Sequence, residues 1–500
     1  MMAARTDSSM TLAHLLDGLA PAPAIEIDNL ALDSRDVRGR CLFIAVSGST
    51  THGIQHVADA LARGAVAVAT DLPATDPRVQ ALQGRVPFVC LGNDRHIPAL
   101  LASRLFAAPS ESLSLVAITG TNGKSSIAWL VASALQRLAR DSAVVGTLGS
   151  GRIDALAHQA LTTPDAVSLQ RRLRELADAG VSDVALEASS HALSQSRLAH
   201  IDIDIAVFSN LTRDHLDYHG TMEAYFEAKA ALFTLPSLRA RVIATDDAYG
   251  MTLWQRYPSE SIRVSSAPLD SLPAQYVYVS TESVTLDGIR LVLESHVGSA
   301  TIEAPLIGHF NVQNLALAFA VLLARGVSPM EAAGALSAVN APPGRMQRIA
   351  DSQLAVFVDY SHTPDALEQA LLALRPHTSG RLFCVFGCGG ERDRGKRAMM
   401  AAVAERIADV PVLTSDNPRS ESVEQILEDM RAGLQGASAI IEPDRRAAIR
   451  RAIGDARNDD VVLIAGKGHE AFQTIAGQTL PFDDAIEARL ALRARAVEDA

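Results

Sequence analysis

The sequence predicts a multidomain protein of the α/β class, with strands and helices alternating along the chain. Its 500 residues exceed what one hydrophobic core usually holds, and 48% hydrophobic with 20% charged residues is ordinary for a globular protein. Between residues 381 and 466, apolar runs such as RLFCVFG and DVVLIAG alternate with helical stretches at the spacing of a parallel sheet. A glycine-rich turn at 118–126 marks another junction between a strand and a helix.

Composition shifts divide the chain into three predicted domains, covering residues 1–107, 108–343 and 344–500. The first boundary falls near SRLFAAPSESLS, where Pro109 and a serine cluster interrupt the pattern. The second falls at NAPPGRMQ, because Pro342 and Pro343 followed by Gly344 cannot continue a helix. Short apolar runs in the first domain, such as LFIAVSG and AVAVAT, predict strands there.

Composition also excludes several classes of protein. A net charge of -12 argues against a nucleic-acid scaffold, which needs clustered Lys and Arg. Four cysteines are too few for a disulfide framework, and no stretch approaches the ~20 apolar residues of a membrane span. We therefore expect a cytoplasmic protein with no nucleic-acid partner and no membrane span. A monomer is the expected oligomeric state.

The stretch ITGTNGKSS, residues 118–126, predicts a phosphate-binding loop. Its last residues match the G-x-x-x-x-G-K-[ST] pattern, whereas Ile118 stands where the first glycine is expected. Glycines let backbone N–H groups approach an anion, and the following helix presents its positive end. The alternative is a glycine-rich turn with an exposed lysine. The predicted nucleotide contacts are Gly120, Thr121, Asn122, Gly123, Lys124, Ser125 and Ser126.

Other polar residues must distinguish a switch, motor, kinase or ligase. Glu187 ends an apolar strand in LEASSHALSQSR, where a carboxylate is costly unless it is exposed or paired. His215 lies in the polar loop FSNLTRDHLDYHG, and Lys229 lies in the apolar helical stretch YFEAKAALF. Singly, each has an ordinary alternative: a helix cap, a loop histidine and a surface lysine with its stem packed on the helix.

Together these stretches resemble the Mur ligases, the ATP-dependent amide-forming enzymes that build the peptidoglycan stem peptide. The resemblance covers all three predicted domains, in the same order along the chain. It implies a UDP-precursor-binding domain, a central P-loop ATPase domain and a C-terminal Rossmann-like domain. It also implies catalytic roles for Lys124, Lys229, His215 and Glu187, and Mg2+ sites at Ser125, Glu187, His215 and Lys229. In the family, the lysine equivalent to Lys229 carries a CO2-derived carbamate.

The same resemblance assigns ATP contacts in the C-terminal half of the chain. They are Asn314 in GHFNVQNLALA, Arg345 in GRMQ, and Asp359, Tyr360 and His362 in VDYSHTPDALEQAL. The last run also reads as a strand, turn and helix, which is compatible with this role. The expected reaction passes the γ-phosphoryl group to a carboxylate, and an amine then attacks the acyl phosphate. No G-x-S-x-G or catalytic-cysteine signature competes with this reading.

Two regions resemble segments that hold the UDP-linked substrate in the branch of the family that acts third in the pathway. ALDSRDVRGRCLFIAVSGSTTHG resembles the uridine-binding segment, which implies contacts at Leu32, Ser34, Ser49, Thr50 and Thr51. The implied contacts for UDP-MurNAc-L-Ala-D-Glu are Thr162, Thr163, Ser189, Gln195 and Arg197. The chain departs from the family pattern at Leu161, where family members often have Asn. The stretch SGSTTH also lacks the HQADG motif that is common in the family.

The stretch TSDNPRSE bears on the amine substrate. Asp416, Asn417, Pro418 and Arg419 resemble the D-N-P-R motif of family members that add meso-2,6-diaminopimelate, whereas lysine-adding members replace the arginine. Diaminopimelate is lysine with an additional carboxylate, which a guanidinium can bind through two parallel hydrogen bonds. Arg392, Gly466 and Glu470 match further amino-acid contacts.

The expected activity is therefore ligation of diaminopimelate to the D-glutamate of the UDP-linked dipeptide, with formation of ADP and phosphate. Three alternatives remain at this stage. They are a lysine-adding ligase, a different Mur ligase step, and a nucleotide-dependent switch that hydrolyses ATP without forming a bond. Out of context, D-N-P-R could also be an ordinary turn.

Overall fold

The computed structural model describes residues 10–48, 51–82, 84–349, 353–436 and 439–498. The chain divides into two compact units. The first comprises the residues up to Val264 together with Ala320–Arg325, and the second comprises Ser265–Phe319 together with Gly326 onward. Both units contain parallel sheets with helices between their strands, so the α/β prediction is confirmed. The ranges of the three predicted domains stay a prediction.

The first unit begins with a small parallel sheet. Strands β4 and β5 are almost entirely buried, which is typical of parallel strands covered on both faces. The sheet has the order β3-β4-β5-β6, and β1 pairs with β2 in an antiparallel ribbon. The elements are β1 (Met10–Thr11), α1 (Leu12–Leu15), β2 (Glu26–Ile27), β3 (Asn29–Ala31), β4 (Cys41–Ala45), α2 (Val57–Ala62), β5 (Ala65–Thr70), α3 (Pro77–Gln80), β6 (Phe88–Cys90) and α4 (Ile97–Leu105).

A larger sheet follows in the same unit. Its strands have the order β13-β12-β11-β7-β10-β8-β9, and all neighbours are parallel except β8 and β9. The elements are β7 (Ser114–Thr119), α5 (Lys124–Arg137), β8 (Ser142–Gly146), β9 (Gly149–Gly151), α6 (Ala166–Asp178), β10 (Asp183–Glu187), α7 (Ser190–Ser194), β11 (Ile205–Phe208), α8 (Leu216–His219), α9 (Met222–Ala230), β12 (Ala240–Ala244), α10 (Ala248–Arg256) and β13 (Ser261–Ser265).

The strand register brings the predicted site together at the carboxyl-terminal ends of the central strands of this larger sheet. β7 lies between β10 and β11, with Glu187 opposite Ile118 and Phe208 opposite Thr119. The carboxyl ends of the three strands therefore coincide, and the loops that follow them share one edge. Ligands in doubly wound sheets bind at this kind of edge.

The second unit combines an antiparallel meander with a parallel sheet. We did not anticipate the meander β14-β15-β16. Every second side chain of β15 is buried, as expected for a sheet covered on one face. The elements up to the parallel sheet are β14 (Tyr276–Val284), β15 (Ile289–Ser295), β16 (Gly298–Ala304), α11 (Phe310–Ala324, whose last residues belong to the first unit) and α12 (Pro329–Ser337).

The parallel sheet confirms the alternation expected between residues 381 and 466. Its order is β17-β18-β22-β19-β20-β21, with only β17 antiparallel to its neighbour, and a hairpin β23-β24 follows. The elements are β17 (Gln347–Arg348), β18 (Ala355–Asp359), α13 (Pro364–Leu374), β19 (Leu382–Cys388), α14 (Gly395–Ile407), β20 (Val410–Ser415), α15 (Val423–Arg431), β21 (Ile440–Ile441), α16 (Arg445–Asp455), β22 (Val461–Ala465), β23 (Phe472–Ile475), β24 (Gln478–Pro481) and α17 (Asp484–Glu498).

The strand register also aligns the segments of the second unit that are predicted to contact ATP and the amine. Asp359 at the end of β18 lies opposite Ala465 of β22, and Cys388 of β19 lies opposite Ser415 of β20. The segments that follow β22 and β20 therefore leave the sheet at the same edge. In the part of the chain that the structure describes, no helix is both long and apolar enough to cross a membrane.

Candidate active site

The phosphate-binding loop joins β7 to α5 and is held by its own residues. Gly120 and Gly123 have φ values of +150° and +87°, and a Cβ on Gly120 would lie 1.9 Å from the Ser209 hydroxyl. Lys124 donates from Nζ to the carbonyls of Gly120 and Thr121 at 2.9 and 2.8 Å. No side chain caps α5, so its first turn can offer N–H groups to an anion.

The departure from the phosphate-loop pattern has a structural explanation. Ile118, which stands in place of the first glycine, lies inside β7 and is fully buried. Gly120 supplies the unusual backbone conformation two residues later. Thr121 and Asn122 are bound to the segment after β11. The Thr121 N–H donates to the Asn210 carbonyl and the Asn122 N–H donates to Asn210 Oδ1, both at 2.9 Å.

Glu187 lies next to this loop at the end of β10. It is 2% exposed, and its carboxylate accepts hydrogen bonds from the Thr147 N–H at 2.8 Å and the Thr147 hydroxyl at 3.2 Å. A Cβ on Gly146 would lie 2.2 Å from its Oε1, so the glycine makes room for the carboxylate. The helix-cap alternative is wrong, because Ser189 caps α7.

Lys229 projects from α9 to the same loop. It is 1% exposed, and its Nζ donates to the Gly120 carbonyl at 2.8 Å and lies 4.5 Å from the centroid of the Tyr225 ring. Burial, followed by repulsion from Lys124, holds the pKa of this ammonium well below its usual range. The surface-lysine alternative is therefore wrong. No carboxylate among the described residues lies within ion-pairing distance of it.

His215 is the more exposed member of the predicted metal set. Its backbone is left-handed, its side chain is 47% exposed, and its ring lies 4.9 Å from that of His191 and 6.1 Å from that of Tyr225. Tyr225 is the link to the phosphate loop, because its hydroxyl lies 3.2 Å from that of Thr121. Within the described ranges, no group of three or more His, Cys, Asp or Glu side chains forms a metal cluster.

The predicted precursor contacts after β8 and β10 form one connected network. The Thr163 hydroxyl donates to the Glu187 carbonyl at 2.6 Å and accepts from the Ser189 N–H at 3.1 Å. Arg197 donates to the Thr163 carbonyl at 2.7 Å and to Gln195 Oε1 at 2.6 Å. Thr162 joins through its hydroxyl, 3.0 Å from that of Thr147. The exposed Leu161 precedes this network.

The predicted uridine contacts lie in the first sheet of the unit. Leu32 is partly buried against its core, Ser34 is buried, and Thr51 is exposed. Ser49 and Thr50 lie outside the described residues. Three residues that the sequence did not single out hold this loop: His52 Nε2 lies 2.8 Å from Asp71 Oδ1, and Ser47 donates to Asp71 Oδ2.

A cleft of about 1120 Å³ runs between the 28–39 segment and α6. Its lining includes Asp33, beside the predicted uridine contacts, and Leu161, beside Thr162. Arg171 of α6 ties the two sides together, since its guanidinium donates to Asn29 Oδ1 and to the Leu30 carbonyl, both at 2.7 Å. The cavity is therefore lined by sequence neighbours of both groups of predicted precursor contacts.

In the second unit, the predicted ATP contacts gather at the end of β18. Asp359 accepts from the Met346 N–H at 2.7 Å and from the Ser361 hydroxyl. The guanidinium of Arg345 lies 4.6 Å from the centroid of the Tyr360 ring, and burial raises the pKa of that phenol. The His362 ring meets the Tyr360 ring edge to face, with 4.7 Å between the ring centroids. Asn314 lies in α11, where its amide donates to Asn311 Oδ1 at 2.9 Å.

The predicted amine contacts meet at the ends of β20 and β22. Asn417 Nδ2 donates to Glu470 Oε2 at 2.8 Å, and a Cβ on Gly466 would lie 2.7 Å from Asp416 Oδ2. Pro418 leads into Arg419, whose guanidinium donates to the Gly390 carbonyl. Arg392 is exposed on the loop after β19.

The sequence did not single out Lys467, which completes this group. It is fully buried, and its Nζ donates to Asn417 Oδ1 at 3.2 Å and to Glu470 Oε2 at 3.3 Å. The Thr474 N–H also donates to Asn417 Oδ1, at 2.9 Å. Both bonds fix the orientation of the Asn417 amide, so that its NH2 group faces Glu470. A lysine directly after an apolar strand was the available signal in AGKGHE.

Three family models match the chain in order. They are described as Mur ligase family, catalytic domain (residues 26–89), Mur ligase middle domain (118–322), and Mur ligase, glutamate ligase domain (344–468). Together they cover the regions that contain the loop, Glu187, Lys229 and the D-N-P-R segment.

Similar proteins span almost the whole chain. The UDP-N-acetylmuramoyl-L-alanyl-D-glutamate--2,6-diaminopimelate ligase of Ectopseudomonas mendocina (strain ymp) is 46% identical over 96% of this chain and 98% of its own length. The enzyme of the same name from Xylella fastidiosa (strain Temecula1) is 44% identical over 98% and 99%. A solved structure of a ligase with this name is 38% identical, with a TM-score of 0.69 over 98% and 99%.

A more distant structure supports the fold alone. The MurF ligase of Thermotoga maritima in complex with ADP is 16% identical, with a TM-score of 0.61 over 94% of this chain and 98% of that one. The high identity of the full-length relatives and the three family models lead to the same conclusion: the chain belongs to the Mur ligase family.

Proposed function

We propose that the protein ligates meso-2,6-diaminopimelate to the γ-carboxyl of the D-glutamate in UDP-MurNAc-L-Ala-D-Glu, using ATP. The observation that carries the reaction type is the convergence of Lys124 and Lys229 on the Gly120 carbonyl beside the buried Glu187. The choice of substrates rests on the names of relatives that are 43–46% identical over nearly the full chain.

Phosphoryl transfer is assigned to the loop between β7 and α5. Gly120 to Ser126 would bind the phosphates through N–H groups, and the ammonium of Lys124 would neutralise charge that develops on the transferred group. The D-glutamate carboxylate attacks the γ-phosphorus, and ADP leaves. The amine then attacks the acyl phosphate, a proton is lost, and phosphate leaves as the amide forms. The chain's own contribution is therefore positioning and charge neutralisation.

The residues around the loop fit a Mg2+ site. Glu187 is a buried carboxylate without a cationic partner in the described chain, and Ser125 lies in the first turn of α5. Carboxylate, hydroxyl and imidazole groups from Glu187, Ser125 and His215 would hold the ion. The ion would supply charge neutralisation for the phosphates.

We further propose that Lys229 is carbamylated. Its pKa is lowered by burial and by Lys124, which favours the neutral amine that reacts with CO2. The reaction converts the amine and CO2 into a carbamate and a proton, and so replaces a buried cation by an anionic oxygen ligand. This change would also relieve the repulsion between the two lysines.

Substrate binding is assigned by domain. Residues 1–107 would hold the UDP moiety through Leu32, Ser34 and the 49–51 segment, and residues 108–343 would hold the dipeptide at the Thr163 network. The cleft lined by Asp33 and Leu161, which are sequence neighbours of the two groups, supports this assignment. Residues 344–500 would bring the amine. ATP would also be contacted by Asn314, Arg345, Asp359, Tyr360 and His362. Because the substrates are a nucleotide-linked precursor and ATP, we propose a cytoplasmic location. We also propose that the protein is a monomer.

The amine is selected, in this proposal, by the D-N-P-R segment. Arg419 would pair with the distal carboxylate of diaminopimelate, and Asn417 and Glu470, with Arg392 and Gly466, would hold its amino-acid group. The rivals are a lysine-adding ligase, another ligation step and a switch. The relatives are named for diaminopimelate, which favours a diaminopimelate-adding ligase over these three rivals.

The test is ATP turnover measured with each substrate omitted in turn. Release of phosphate that requires both UDP-MurNAc-L-Ala-D-Glu and diaminopimelate, with a product of the corresponding mass, is expected. Turnover with neither substrate would indicate a switch. Equal turnover with L-lysine in place of diaminopimelate would overturn the proposed amine.

A further inference from the structure

A fully buried ion pair lies beneath the amine site and takes no part in the chemistry described above. Arg445 begins α16 and Asp484 begins α17, and both side chains are 0% exposed. The guanidinium donates from Nε to Asp484 Oδ1 at 2.7 Å and from one terminal nitrogen to Oδ2 at 2.6 Å. The pair is thus bidentate.

The same guanidinium also contacts the ends of two strands. It donates to the Ala465 carbonyl at 2.9 Å and to the Ser415 carbonyl at 3.3 Å. Ser415 is the last residue of β20 and Ala465 is the last residue of β22. These strands are not neighbours, because β19 lies between them. Arg445 therefore bridges two strand ends that the sheet itself does not join.

The two contacted carbonyls directly precede the amine-contact segments. Asp416 to Arg419 follow Ser415, and Gly466 to Glu470 follow Ala465. Gln473 adds a further tie, because its amide donates to the Ser415 hydroxyl at 3.0 Å and to the Asp416 carbonyl at 2.7 Å. The spacing of the two segments thus depends on buried polar contacts.

Stability alone does not account for a buried pair of this kind. Removing two charges from water is costly, and well-packed apolar residues of similar volume often stabilise a protein as well or better. Arg445 also begins a helix, where a cation is disfavoured by the helix dipole. A function that an apolar pair could not perform is therefore indicated.

We propose that Arg445 and Asp484 are positioning residues that set the spacing between the D-N-P-R segment and the Gly466–Glu470 segment. This inference rests on the proposed function of those segments in binding the amine. Asp484 fixes the guanidinium plane, and the guanidinium fixes the two strand ends. The pair touches no substrate itself.

The test separates positioning from stability through a double variant. Arg445→Met and Asp484→Leu, made singly, each leave a buried partner unpaired, so the melting temperature should fall. The Arg445→Met/Asp484→Leu variant removes both charges and should recover much of that loss. It cannot donate to the two carbonyls, so its KM for diaminopimelate should stay raised by about 10- to 100-fold, as expected from a small misplacement of contact groups. The KM values for ATP and the UDP-linked dipeptide should be unchanged.

A control ion pair lies at the opposite, amino-terminal ends of the strands in the same sheet. Arg381 pairs with Asp460 at 2.8 Å, just before β19 and β22 begin. Arg381→Met should lower the melting temperature and leave the KM for diaminopimelate unchanged. If the double variant fails to fold, Arg445→Lys decides the matter, because it keeps the charge but cannot reach the carboxylate and both carbonyls together.

A double variant, or Arg445→Lys, with restored stability and the KM of the unmodified protein for diaminopimelate would overturn the inference alone. Unmodified protein that shows no diaminopimelate-dependent turnover would overturn the proposed function, and the inference with it.

Discussion

Lys124 and Lys229 donate hydrogen bonds from their Nζ atoms to the same acceptor, the carbonyl oxygen of Gly120, at 2.9 and 2.8 Å. Lys229 is buried and Lys124 is half-buried, so positive charges on the two side chains repel each other across this shared neutral acceptor. Burial and this repulsion together lower the pKa of Lys229. The arrangement is suited to a site where negative charge arrives with a ligand, and it leads to predictions for each lysine.

Replacing Lys124 by Ala should reduce phosphoryl transfer by about 100- to 1000-fold or more, because the lost charge acts on the transferring phosphate. Binding of the UDP-linked dipeptide should be nearly unchanged, since its contacts are assigned to other segments. Phosphate release and equilibrium binding measure the two effects. A folded Lys124→Ala protein that ligates normally would remove the basis for the nucleotide site.

Replacing Lys229 by Ala should nearly abolish ligation, and a short carboxylic acid in solution should restore part of the rate by supplying an anionic oxygen. Lys229→Arg should also be inactive, because arginine keeps the cation and cannot form the metal-binding carbamate. The rates are measured with and without added bicarbonate. Full activity of the arginine variant at low CO2 would contradict the carbamate.

The lowered pKa of Lys229 predicts how stability depends on pH without CO2. At a pH below the folded-state pKa, the lysine is charged in both states and its burial costs most, so Lys229→Met should be more stable than the unmodified protein. As pH rises from that lowered value towards 10.5, the unfolded chain binds a proton that the folded chain lacks. The unmodified protein should therefore gain stability relative to Lys229→Met over this window. Denaturant unfolding measures the difference, and a constant difference up to that pH would contradict the burial argument.

Replacing Arg419 by Ala should impair the use of diaminopimelate selectively. The loss of a charge-assisted contact to the distal carboxylate should cost roughly 2 to 4 kcal/mol, or about 30- to 1000-fold in kcat/KM. L-lysine lacks this carboxylate, so its rate should change far less. Steady-state kinetics with both amino acids provides the measurement.

The control for Arg419 is Arg394, an exposed arginine that pairs with Glu421 at 3.2 Å. Because the Arg394 side chain is exposed and Glu421 keeps its pair with Arg397, the kcat/KM of Arg394→Ala should stay within about fivefold of that of the unmodified protein. An equal loss for lysine and diaminopimelate in Arg419→Ala would show that the guanidinium supports the loop, where it also donates to the Gly390 carbonyl.

Local sequence patterns predicted the parts of the structure that depend on local chemistry. The spacing of Gly120, Gly123 and Lys124 predicted the phosphate loop, because a tight turn into a helix needs those residue types within a few positions. The alternation after residue 381 predicted the parallel sheet for the same reason. The meander β14-β15-β16 was missed in a segment for which we made no strand prediction.

Contacts between distant segments could not be derived from such patterns. Lys229 looked like a surface lysine because its burial depends on the position of α9 against the loop after β7. Thr147 and Glu187 meet only because β8 and β10 are neighbours in the sheet. Arg445 and Asp484 begin two different helices, and their sequence surroundings carry no signal that they meet.

The most direct test of the account is the transfer of oxygen from the D-glutamate carboxylate to phosphate. UDP-MurNAc-L-Ala-D-Glu labelled with oxygen-18 in the γ-carboxyl is ligated to diaminopimelate, and the released phosphate is analysed by mass spectrometry. An acyl phosphate requires that one labelled oxygen leaves with each phosphate while the other stays in the amide. Phosphate that carries no label would contradict the account, because ATP would then be hydrolysed by water without activating the carboxylate.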